Sequence, residues 1–279
     1  MKYEFFYDAS RTKTVTVILW DSKTLKAAII DSVLDYESAS GKTYTESADK
    51  LIDFIKQNGL SLEWILETHI HADHLTASYY LKQKLGGKTA MGKGFLKVLE
   101  YWKPVFEDDE IKDDGSQFEK LFEDGEEFLI GNLTVKAFNT SGHTPACISY
   151  YVEECLFSGD TIFSPAIGTA RTDFPGGSSA DLYNSIQKIF ALPENTKIFV
   201  GHDYPEDITK PVIITTVKQQ KGENILLNAN TTLEEFILKR ESRQKKLPVP
   251  TLLFPALHVN LMAGKLPKFI KIPLNKILS

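Results

Sequence analysis

Cysteine is scarce, with Cys147 and Cys155 the only two in 279 residues. Two thiols cannot build a disulfide framework, neither has a metal-binding spacing, and the pair is compatible with a reducing compartment. Long apolar runs are missing as well. No stretch approaches the ~20 apolar residues that cross a bilayer, and the N-terminus Met1-Lys2-Tyr3-Glu4-Phe5-Phe6-Tyr7-Asp8 has acidic residues and no apolar core of signal-peptide length. These absences point to a cytoplasmic protein with no membrane partner. Nor is there an excess of positive charge. The 32 Lys and Arg against 37 Asp and Glu give a net charge of −5, which argues against a nucleic-acid partner. The clearest basic run, Lys239 to Lys246, reads as a solvated helix face. The acidic stretch from Asp108 to Asp114 lacks the ligand spacing of a calcium loop and reads as solvated too. With 42% hydrophobic and 25% charged residues the composition is that of an ordinary soluble globular protein, so disorder, collagen and coiled coil recede.

Histidine is also rare, but three of the six fall in one heptapeptide, Thr68-His69-Ile70-His71-Ala72-Asp73-His74. Four metal-competent side chains thus stand directly after Trp64-Ile65-Leu66-Glu67-Thr68, a segment with the apolar, β-compatible character of a buried strand. A chain leaving a strand here can turn His69 and His71 inward together while Asp73 and His74 start the next element on another bearing. That arrangement supplies ligands for two adjacent sites. Imidazole suits zinc, iron and manganese, and carboxylate completes a catalytic centre with open positions.

Three further junctions have the same character. His143 sits in the tight turn Ser141-Gly142-His143-Thr144-Pro145, Asp160 closes Leu156-Phe157-Ser158-Gly159-Asp160, and His202 follows Ile198-Phe199-Val200-Gly201. An acidic residue after apolar positions is costly to bury unless paired or bound to a cation. Singly, each of these residues is more often a hydrogen-bonded loop or core group; together they favour a site. His258 lacks such a junction and reads as packing or support.

Periodicity supplies the frame. Thr14 to Trp20 and Lys26 to Val33 read as a hairpin across the polar turn Asp21-Ser22-Lys23-Thr24. Thr45 to Asn58 carries a helical stripe and ends at Asn58-Gly59. A helix is expected from Asp73 to Leu85, a strand over Lys88 to Met91, and an aromatic helix from Phe95 to Trp102 before Pro104. Strands return at Glu127 to Ile130, Leu133 to Asn139 and Cys147 to Phe157, followed by a helix over Ala180 to Ala191 and a strand over Lys197 to Val200. Thr231 to Lys246 reads as helical, and the prolines between Leu247 and Lys268 predict an extended wrapping segment. The expected architecture is α/β, two β-rich halves facing each other with helices outside. The whole chain, 1–279, reads as one domain with a helical and extended segment from about residue 211, which either closes the pocket or supports a homodimer.

On these residues the sequence resembles the metallo-β-lactamase superfamily, whose His-x-His-x-Asp-His, His, Asp, His pattern is matched in order by His69, His71, Asp73, His74, His143, Asp160 and His202. The resemblance covers about Thr14 to Tyr204 and implies an αββα sandwich of two mixed sheets. Because that fold hosts several chemistries, the substrate rests on other residues. Gly168-Thr169-Ala170-Arg171-Thr172-Asp173-Phe174-Pro175-Gly176-Gly177 and Gly201-His202-Asp203-Tyr204 look like the persulfide dioxygenase branch, related to glyoxalase II. That likeness implies one Fe(II) per chain on His69, His143 and Asp160, with His71, Asp73, His74 and His202 around it. It implies oxidation of glutathione persulfide by O2 to sulfite and glutathione. Arg171 would clamp a substrate carboxylate, Tyr204 would donate a hydrogen bond to the reacting species, and Asp73 would join in catalysis. The structural alternative for Arg171 is a salt bridge to Asp173 or Asp203. The other enzymatic reading keeps all seven residues as ligands to two Zn2+ ions that cleave a glutathione thioester. A third class keeps a metal or sulfur ligand without turnover, and the intact ligand set argues against it.

Overall fold

Alternating and continuous apolar runs become strands, and polar turns separate them. The computed structural model describes residues 1–274. The first half contains β1 (Lys2–Tyr7), β2 (Val15–Trp20), β3 (Lys26–Ile30), β4 (Val33–Glu37), β5 (Lys42–Tyr44), α1 (Glu46–Gln57), β6 (Ser61–Leu66), β7 (Leu75–Thr76), α2 (Ser78–Leu85), β8 (Lys88–Gly92), α3 (Phe95–Phe106) and β9 (Lys120–Phe122). The second contains β10 (Glu127–Ile130), β11 (Leu133–Asn139), β12 (Ile148–Val152), β13 (Cys155–Gly159), α4 (Ser179–Phe190), β14 (Lys197–Val200), β15 (Ile214–Thr216), α5 (Val217–Glu223), α6 (Leu233–Gln244) and α7 (Leu253–Asn260).

One six-stranded sheet runs β1-β2-β3-β6-β8-β9 and the other β10-β11-β12-β13-β14-β15, with a small β5-β4-β7 sheet beside them. Both large sheets are mixed: β3, β6, β8 and β9 run parallel, as do β13 and β14. Their inner faces meet in one core in which Val17, Leu19 and Ala28 oppose Val135, Tyr150 and Phe157. The apolar stripe of α1, Ala48, Leu51, Ile52 and Ile55, covers the outer face of the first sheet. Leu182, Ile186 and Ile189 of α4 cover the second. This is the expected αββα sandwich. No helix among the described residues is long and apolar enough to cross a membrane.

Several expectations are corrected. The helix expected from Asp73 begins only at Ser78, because Leu75–Thr76 pair antiparallel with Val33 and Leu34 of β4. Helix α3 passes Pro104 to Phe106, whose ring is buried and stacked 4.6 Å from the His258 ring. The single strand expected from Cys147 to Phe157 is two, turning at Glu153 with φ +53°. The extended tail contains α7, in which Pro255 is the third residue; an amide there has no intrahelical acceptor, so the ring costs no hydrogen bond. Asp108 is not simply solvated, since it accepts a 2.9 Å hydrogen bond from Nε2 of buried His258. His258 therefore belongs to packing.

The two sheets are also joined at their turns by Asp21. Its carboxylate accepts from the Lys23 and Asn132 amides at 2.9 Å and from Thr24 Oγ1 at 2.8 Å. These bonds, the one from the Lys23 amide foremost, lower its pKa from 3.8 to about 2. A lowered folded-state pKa stabilises the fold above the unfolded value, and that contribution disappears as pH falls through the folded one. Asp21→Asn is therefore expected to be less stable than wild type near neutrality. The gap in Tm should close as pH falls from about 4 to about 2, measured by thermal unfolding at stepped pH.

Candidate metal centre

The ligand candidates lie where strands end. His69 follows β6, His143 follows β11, Asp160 follows β13 and His202 follows β14. Two glycines set how closely these loops approach. Gly142, at φ +143°, would place a Cβ 2.4 Å from the Leu182 backbone, and Gly159, at φ +50°, would place one 2.2 Å from Thr68 Oγ1. Both positions need glycine for space as well as backbone angle.

His69, His143 and Asp160 each present a ligand atom within 4.8 Å of the others, all buried. Their hydrogen bonds fix which atom is free. Thr68 Oγ1 donates to Asp31 Oδ2 at 2.7 Å, so it accepts from His69 Nδ1 at 3.0 Å. The Arg171 carbonyl accepts from His143 Nδ1 at 2.7 Å. Both imidazoles therefore keep an Nε2 lone pair, and burial holds both pKa values down, leaving them neutral as metal ligation requires. Asp160 uses Oδ1 to accept from His202 Nδ1 at 2.7 Å, while Oδ2 lies 3.9 Å from His69 Nε2. Burial opposes its charge, yet His202 beside it holds the carboxyl well below the usual carboxylate range. Two neutral nitrogens and a carboxylate facing each other fit a first-row divalent metal.

His202 is taken on both sides: Nδ1 by Asp160 and Nε2 by Asp73 Oδ2 at 2.8 Å. Burial disfavours its charge, and the carboxylates of Asp160 and Asp73 override burial to hold it protonated. Burial likewise opposes charge on Asp73, and His202 and His74 outweigh it. His71 is held differently, its Nε2 lying 3.1 Å from Asp31 Oδ1 and 3.2 Å from Glu67 Oε2. Burial opposes charge there too, but Asp31 foremost pushes its pKa up to about 10. His71 Nδ1 and His74 Nε2 are buried without a hydrogen-bond partner among the described residues. These two residues and Asp73 offer a second group of ligand atoms within 4.8 Å. An orphaned buried nitrogen is costly, and a ligated cation would satisfy it.

Sequence reasoning missed the supports. Asp31 accepts from the Thr68 amide and hydroxyl, both at 2.7 Å. Glu67 takes hydroxyl bonds from Thr76 and Ser78. Thr14 Oγ1 lies 3.2 Å from His74 Nδ1 and 3.1 Å from His202 Nε2. Asn260 of α7 donates to the His71 and His74 carbonyls at 2.9 and 2.8 Å and accepts from the Thr76 amide at 2.8 Å. A lone acidic residue at the end of an apolar run was the available signal for Asp31 and Glu67.

Above the cluster opens a cavity of about 900 Å³, lined in part by Phe163, Phe174, Arg171, Tyr204 and Pro248. Tyr204 is 55% exposed, with its ring plane within 4° of that of His202. The guanidinium of Arg171 pairs with Asp173 through Nε at 2.6 Å and Nη2 at 2.8 Å, and Nη1 donates to the Pro248 carbonyl at 2.6 Å. The salt-bridge alternative thus holds for Asp173. Asp203 is engaged elsewhere, by Ser164 Oγ and the Val212 amide.

Known proteins carry the same frame. The metallo-beta-lactamase superfamily model matches residues 14–202. The chain is 47% identical to "Glyoxylase B2" of Dictyostelium discoideum, over 94% of this chain and 93% of that protein. It is 29% identical to "Persulfide dioxygenase ETHE1, mitochondrial" of Bos taurus, over 90% of this chain and 84% of the other. The crystal structure of ETHE1 from Myxococcus xanthus superposes with a TM-score of 0.77 at 28% identity, covering 95% of this chain and all (100%) of that one. With its two facing sheets and its histidines and aspartates gathered at the strand ends, the chain belongs to the metallo-β-lactamase superfamily.

Proposed function

We propose that this chain is a persulfide dioxygenase, holding one iron on His69, His143 and Asp160 and converting glutathione persulfide, O2 and water to glutathione and sulfite. The observation that carries this reading is the division of labour among the ligands. Three ligand atoms converge within 4.8 Å, whereas both ring nitrogens of His202 are occupied by aspartates. A bound Fe(II) on a two-histidine, one-carboxylate face supplies open positions and the one-electron chemistry that O2 requires. The protein's part is placement. Arg171 fixes the His143 ring through its carbonyl, and His202 holds Asp160 so that one carboxylate oxygen faces the triad. Phe163 and Phe174 wall the cavity and limit water. Three of the five Arg171 N–H groups are engaged, and the remainder are available for a substrate carboxylate. Tyr204 donates to the reacting sulfur or oxygen. Asp73, paired with His202 and His74, sets the charge beside the triad. The chain works as one cytoplasmic domain, with the tail from about residue 211 supporting the site.

The second reading is a glyoxalase II-like hydrolase with two Zn2+ ions cleaving glutathione thioesters. It is favoured by the orphaned nitrogens of His71 and His74 and by the likeness to Glyoxylase B2. The two readings separate in one preparation, by metal analysis together with O2 uptake on glutathione persulfide and hydrolysis of S-lactoylglutathione. About one iron per chain with O2 uptake upholds the proposal; two metals with thioester cleavage and no O2 uptake overturns it. In the first case Tyr204→Phe should lower kcat about 10-fold, the worth of one hydrogen bond, with metal content unchanged.

A further inference from the structure

Helix α6 lies outside the ligand set, yet two of its buried side chains grip the loop that orients His143. Arg240 Nη1 donates to the Thr169 carbonyl at 2.7 Å. One turn later, on the same face of the helix, Gln244 Oε1 accepts from the Thr172 amide at 2.9 Å and from Thr172 Oγ1 at 3.1 Å. The two contacts bracket Arg171, whose carbonyl accepts from His143 Nδ1 at 2.7 Å. That carbonyl decides which imidazole nitrogen is free and where it points.

Stability alone does not account for Arg240. The residue is 1% exposed, and its Nε and Nη2 have no hydrogen-bond partner among the described residues. A buried guanidinium with one neutral acceptor, and with Asp173 near enough to act on its charge but not bonded to it, is an expensive way to fill space, and an apolar side chain of similar volume would serve the fold as well or better. What Arg240 does provide is a fixed position for the Thr169 carbonyl, at one end of the segment that carries the Arg171 carbonyl.

We infer that Arg240 and Gln244 are positioning residues for the metal centre, holding the 169–172 loop so that the Arg171 carbonyl presents His143 Nε2 toward the ion. The inference rests on His143 being a metal ligand and is independent of which reaction the site performs. It assigns helix α6 a part in metal affinity without any contact to the metal.

The test is the affinity of the metal-free protein for Zn(II), and for Fe(II) under anaerobic conditions, against a competing chelator, with Tm measured beside it. Arg240→Met should keep or raise Tm while weakening both affinities about 10-fold, the range expected for groups that orient ligands. Gln244→Leu should weaken affinity similarly. Gln244→Glu, which keeps an acceptor for the Thr172 amide, should restore most of it. His143→Ala serves as the reference. Unchanged affinity in both Arg240→Met and Gln244→Leu, with metal lost in His143→Ala, overturns the positioning role alone. So does a loss in Gln244→Leu that Gln244→Glu fails to restore. Should Arg240→Met fold poorly, the two Gln244 variants decide. If His143→Ala binds metal as wild type does, the ligand assignment itself fails.

Discussion

His143→Ala protein, purified beside wild type without added metal, is expected to carry almost no iron, while His202→Ala protein keeps it largely in place. The asymmetry follows from the hydrogen bonds. His143 is a neutral imidazole with Nδ1 on the Arg171 carbonyl and Nε2 in the converging triad. Its removal leaves two ligands, too few to hold a labile divalent ion. His202 spends both nitrogens on Asp160 and Asp73, so its removal frees a carboxylate oxygen without subtracting a donor from the triad. It should lower affinity by the 10- to 100-fold typical of a supporting group. Metal analysis of the three proteins decides the matter, and equal loss in both variants would count against a single-ion site.

The second large effect is on stability. Asp31→Ala should lose about 3–5 kcal/mol, the usual cost of stripping one partner from a buried charged network, or roughly 10 °C in Tm for a chain of this size. It leaves the Thr68 amide and hydroxyl short of an acceptor in a buried interior, and leaves the Nε2 of His71 with Glu67 alone. Asp31 also sits at φ +53°, which alanine tolerates less well than aspartate or asparagine. Asp31→Asn, keeping the backbone preference and one acceptor oxygen, should lose about half as much. Thermal unfolding of the metal-free proteins isolates this effect from metal linkage; a loss below about 1 kcal/mol in Asp31→Ala would mean that the network carries no net stability.

Much of this was legible in the sequence. The hairpin of β2 and β3, the stripe of α1 and the strand ends bearing His69, His143, Asp160 and His202 follow from periodicity and turn chemistry, which are local properties. The partners of those candidate ligands were not legible. Asp31 meets His71 across 40 positions and Thr14 meets His202 across 188, and a single polar residue in an apolar run carries no mark of what it will meet. Helix α7 was hidden by its proline, whose position in the first turn decides whether it breaks or begins a helix. Arg171 shows the opposite limit. Its pairing with Asp173 two residues on could be weighed from the sequence, but the grip of α6 on either side of it could not.

Asn260 supplies three hydrogen bonds to the loop of His71, His74 and Thr76, from 184 to 189 positions downstream. During synthesis the loop leaves the ribosome long before the residue that fastens it. A chain made only as far as this loop would lack the three bonds from α7 that hold its backbone. The geometry of the His71 and His74 loop is therefore complete only once the chain has been made as far as α7.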